Sequence, residues 1–84
     1  MSSKSHYDNP KGLVERLVAV TDDICYDGIP VAYVRTLAEH FVSLSHSMPE
    51  LIDKLKEAEA LAQAEMAKRA IMLILVRAEE LAQA

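Results

Sequence analysis

Apolar residues recur along this chain at helical spacing in three successive stretches. In the first, Leu13, Leu17, Val20 and Ile24 follow at intervals of four, three and four, with Val14, Val18 and Cys25 beside them. That is the broad stripe an amphipathic helix turns toward a core. Asn9 is a favoured N-cap, and Pro10 suits the first helical position, where a missing N–H costs nothing. Gly28 supplies a C-terminal stop within the short turn Asp27-Gly28-Ile29-Pro30. A helix over about residues 10–26 is predicted. In the second stretch Val34, Leu37, Phe41, Leu44 and Met48 recur at three-and-four spacing, widened by Ala38 and Ser45. Its β-branched residues lower helix propensity slightly, but the strict alternation a strand needs is absent. A second helix, opened by Pro30, is predicted over about 30–46.

The third stretch begins at Ser47-Met48-Pro49-Glu50, which reads as a capping box: the Ser47 hydroxyl accepts from the Glu50 N–H, and the Glu50 carboxylate accepts from the Ser47 N–H. From Leu51 to Ala84 there is no Gly and no Pro, and strong helix formers dominate. One long helix over about 49–83 is predicted, close to 50 Å at about 1.5 Å per residue. Two shorter helices of about 25 Å each cannot cover its far end. Within it Ala67, Ile71, Ile74, Ala78 and Leu81 keep the four-three spacing of a helix–helix seam. Ala70, Met72, Leu73, Leu75 and Val76 complete a band that is apolar on every side, the mark of a helix buried all round. The expected architecture is therefore all-α: an unordered tail over 1–9, then a single helical domain over 10–84 whose segment 58–84 is an oligomerisation helix. These ten residues form the expected interface, and the bundle is completed by further copies of the chain. The mixture of Ala with Ile and Leu leaves strand number and orientation open.

Composition sharpens the last segment. Ala58-Glu59-Ala60-Leu61-Ala62-Gln63-Ala64 returns as Ala78-Glu79-Glu80-Leu81-Ala82-Gln83-Ala84. Two copies do not make a solenoid, and the narrow alphabet of 58–84 suits an assembly helix, natural or engineered.

Charge and chemistry exclude several functions. Residues 1–48 hold four Lys/Arg against six Asp/Glu, and 49–84 hold five against seven, so neither half offers the basic footprint of nucleic-acid binding. A helix-turn-helix pattern can be laid over Leu37 to Ile52, but its second helix opens with Pro49, Glu50 and Asp53 where base-reading Arg, Lys, Asn or Gln belong. The seven-residue apolar run Ala70 to Val76 falls far short of the roughly 20 residues that span a bilayer. The first ten residues lack the apolar stretch of an export signal, and a cytoplasmic location is expected. Cys25, the single cysteine, lies among Asp22, Asp23 and Asp27, which oppose thiolate formation and leave it as a small core residue. His40 and His46 are six apart, on opposite sides of a helix, and His6 lies in the tail, so no metal site is expected. No phosphate loop or catalytic grouping is present, and a three-helix chain leaves little room for a deep pocket. Neither enzymatic activity nor a cofactor is expected.

Between Leu37 and Ala58 the run LAEHFVSLSHSMPELIDKLKEA, with its Ser47-Met48-Pro49-Glu50-Leu51-Ile52 junction, resembles the Ead-like small early-region proteins of lambdoid phages. That resemblance implies a phage accessory protein that acts by binding a host protein, and it brings no catalytic residues. Self-assembly through the C-terminal helix remains the primary expectation, with the helical face that binds a host protein as its alternative and a helix-turn-helix DNA-binding protein behind both.

Overall fold

The computed structural model describes residues 6–19 and 28–83. Among the described residues the chain is all-α: a 3-10 turn at His6–Asp8, then α1 (Pro10–Val18), α2 (Val31–Leu44), α3 (Met48–Leu61) and α4 (Glu65–Gln83). Val20, Ile24, Cys25 and the acidic residues around them lie outside the described residues, and with them the second half of the first expected helix.

Local chemistry sets the helix ends. The Asn9 side chain accepts from the Gly12 N–H at 3.1 Å, and its carbonyl accepts from the Leu13 N–H at 2.9 Å, so Pro10 starts α1 as expected. Gly28 adopts φ +82°, a left-handed conformation that an L side chain resists. Pro30 stands just outside α2 as its cap, its carbonyl accepting from the Tyr33 and Val34 N–H groups. At the other end of α2 the Ser45 hydroxyl donates back to the Phe41 carbonyl at 2.8 Å while its backbone turns extended. Half of the expected capping box forms at α3: the Ser47 hydroxyl accepts from the Glu50 N–H at 3.3 Å. The Glu50 carboxylate, however, accepts from the N–H of His46, one residue before the cap, at 2.8 Å.

The single long helix expected over 49–83 is two helices. Ala62 leaves the helix at φ −66°, ψ 132°, and after Gln63 and Ala64 the chain resumes as α4, folded back on α3. Lys56 on α3 and Glu79 on α4 approach to 4.0 Å along this hairpin. The molecule measures 41 × 28 × 20 Å, too short for a rod of about 50 Å. Burial drives the reversal. Continuing the helix through Ala62-Gln63-Ala64 gains only a few tenths of a kcal/mol per residue in propensity, whereas burying each large aliphatic side chain of α4 contributes about 1.5–3 kcal/mol. The chain covers its own far end, and the geometric requirement for a second copy disappears.

One core receives all four helices: Leu13, Leu17 and Val18 from α1, Val34, Ala38 and Val42 from α2, Leu51 and Leu55 from α3, and Ala70, Ile74 and Ala78 from α4. The segment expected to be an unordered tail also takes part. Tyr7, in the 3-10 turn, packs against this core and bonds to Ser45 through its hydroxyl at 2.6 Å.

Candidate interaction surface

α4 carries the residues expected to join chains, and the structure divides them between two sides. Ala70, Ile71, Ile74, Ala78 and Leu81 are buried in the chain's own core. Ala67, Leu73 and Leu75 are half-buried at its margins. On the outer side Met72 and Val76, one helical turn apart, keep 46% and 52% of their surface exposed. Glu65 and Arg69 pair at 3.6 Å along the helix just before them. The apolar band therefore encircles the helix, as its sequence indicates, with most of its circumference buried in this one chain.

A second group of exposed apolar side chains marks the α3–α4 reversal. Leu61, the last residue of α3, is 71% exposed, and Met66, in the first turn of α4, is 47% exposed. Neither pair approaches the roughly 800 Å² per partner that a stable interface buries.

Between the 3-10 turn, α1 and α2 lies an open cleft of about 560 Å³. Pro10, Val14 and Val42 give it apolar walls, and Lys11 and Glu39 stand at its edge. Glu15, also at the edge, is held in an ion pair with Arg35 that ties α1 to α2. Tyr7 and Ser45, bonded to each other, also line it. Because the Ser45 hydroxyl donates to Phe41, the Tyr7 hydroxyl is the donor to Ser45. Ser45 is the buried polar residue among the described ones, and both of its hydrogen-bonding roles are filled. Burial raises the Tyr7 pKa above its ordinary value, the bond to Ser45 opposes that rise, and the Glu50 charge adds to it. Glu50 itself is held below the usual glutamate range, chiefly by the His46 N–H. Sequence periodicity offered one signal for this site, Ser45 on the apolar stripe of α2; nothing in the pattern pointed to Tyr7.

The histidines stay apart: His40 sets its ring edge-on to Phe41 at 5.3 Å, and His46 lies 3.5 Å from Glu50 at the surface. Among the described residues no three His, Cys, Asp or Glu side chains converge on a point that could hold a metal, and no helix is long and apolar enough to cross a membrane. Comparison with protein-family models, with curated proteins and with solved structures finds no match to this chain.

Proposed function

We propose that the chain is a non-enzymatic helical protein that self-associates through α4. One observation carries this: the Ala70–Val76 band is apolar around the whole helix, and after the core has taken Ala70, Ile71 and Ile74, Met72 and Val76 still stand half exposed. A solvated helix face is normally polar. Because the exposed pair is small against a stable interface, association through this face is concentration-dependent, not obligate. The same face would serve a protein partner, the alternative that the phage-protein resemblance suggests.

Sedimentation equilibrium over a hundredfold concentration range tests the proposal, with the parent beside a variant carrying Met72→Lys and Val76→Lys. A mass that rises with concentration in the parent, and less in the variant, is the expected result. A parent mass fixed at one chain throughout would end the self-association reading and leave the partner-protein alternative. A dimer insensitive to both lysines would move the contact off the outer face of α4.

A further inference from the structure

The reversal between α3 and α4 is built from residues that do not favour it. Ala62, Gln63 and Ala64 are strong helix formers, and none of them is among the Gly, Pro, Asn, Asp or Ser residues that set turns. Ala62 occupies the C-terminal cap position of α3 in an extended conformation, where a glycine or asparagine just past the helix end commonly closes the last turn. At the start of α4, Ala64 offers its carbonyl to the Lys68 N–H at 3.0 Å but has no side-chain acceptor for the free N–H groups of the first turn. Of the other helix starts, those of α1 and α3 carry side-chain caps, from Asn9 and Ser47, while α2 starts at Pro30 without one. The hairpin is thus held shut by the core contacts of α4, with little help from its hinge.

Those contacts can be made by an identical helix from another chain. If the hinge opens, α4 of one copy can take the place of α4 in a second, and every core contact of Ala70, Ile71, Ile74, Ala78 and Leu81 is restored. Leu61 and Met66 give this exchange a favourable term of its own. They flank the hinge and are exposed in the single chain. In a two-fold dimer the two opened hinges lie side by side, so the four side chains meet each other across the axis. We propose that two copies of this chain exchange α4, hinging at residues 62–64, with Leu61 and Met66 packed at the new contact. The inference goes beyond the self-association proposed above, adding to the contact at Met72 and Val76 a second one in which α4 itself passes to the partner chain.

The Lys56 Nζ and Glu79 Oε2 atoms, 4.0 Å apart across the hairpin, provide the test. In a Cys25→Ser background, Lys56→Cys and Glu79→Cys are combined, and the protein is refolded at millimolar concentration, diluted and joined with a short bis-maleimide, which tolerates a wider separation of the two thiols than a direct disulfide does. Exchange predicts a covalent dimer on a denaturing gel. A non-covalent dimer whose cross-links are all within one chain would overturn the exchange and leave self-association standing, and a monomer with an internal cross-link would remove both. A second variant needs no cysteine pair. Ala62→Gly with Ala64→Asp gives the reversal the residues it lacks, and the dimer fraction after refolding should drop on the order of tenfold. A dimer fraction unchanged in this hinge variant would also count against exchange.

Discussion

Ile74 and Val76 sit two residues apart on α4, and the fold assigns them opposite fates. Ile74 is fully buried, while Val76 keeps 52% of its surface. Truncating Ile74 to Ala removes three buried carbons and leaves a cavity in the common core. Such a change costs about 2–5 kcal/mol, depending on how far the surroundings collapse. A chain of 84 residues has a total stability of only about 4–13 kcal/mol, so the loss is a large share of the whole. At roughly 4–8 °C per kcal/mol for a domain of this size, a loss of about 3 kcal/mol lowers Tm by roughly 12–24 °C. Val76→Ala should stay within about 0.5 kcal/mol. Urea unfolding followed by far-ultraviolet circular dichroism, at a concentration where the parent is a monomer, measures both. Equal costs at the two positions, or a cost below about 1 kcal/mol for Ile74→Ala, would mean that α4 does not present this face to the core. The charged change Ile74→Asp separates a core residue from an interface residue. In the core it unfolds the chain, because a buried unpaired carboxylate costs several kcal/mol; at an interface between chains it would release folded monomers.

Two further outcomes concern the N-terminal turn and the α2–α3 junction. Tyr7→Phe keeps the ring but removes the donor to Ser45, and the loss should be about 0.5–1.5 kcal/mol in urea unfolding. Because the Tyr7 pKa is raised in the folded state, its contribution is present below the ordinary tyrosine pKa of about 10 and is lost as pH climbs through the folded value. The parent should therefore lose stability on that alkaline limb faster than Tyr7→Phe. Glu50 has the opposite sign. Its folded pKa is lowered, so its contribution is present above the ordinary glutamate pKa of about 4.5 and disappears as pH falls through the folded value. Glu50→Gln should flatten that part of the acid limb in melts taken from pH 6 to pH 2. A parent and variant with parallel curves would show that the His46 N–H bond does not hold the carboxylate in solution.

What the sequence determined by itself is local. Asn9, Pro10 and Ser47 mark helix starts that the backbone obeys, because a cap acts on groups within a few residues. The stripes Leu13/Leu17 and Ile71/Ile74/Ala78/Leu81 also face a core as their spacing indicates, since a 3.6-residue period fixes which side chains share a face. Which core they face is not local. The same four-three spacing serves a seam between chains or a hairpin within one, and nothing in Ala62-Gln63-Ala64 announces a reversal. Tertiary structure decided it, because the burial of α4 against α1, α2 and α3 outweighs the small preference of those three residues for continuing a helix. Tyr7 belongs with this second class. It lies 38 residues from Ser45, and its bond exists because packing of the 3-10 turn against the end of α2 brings the two hydroxyls together where water cannot fully reach them.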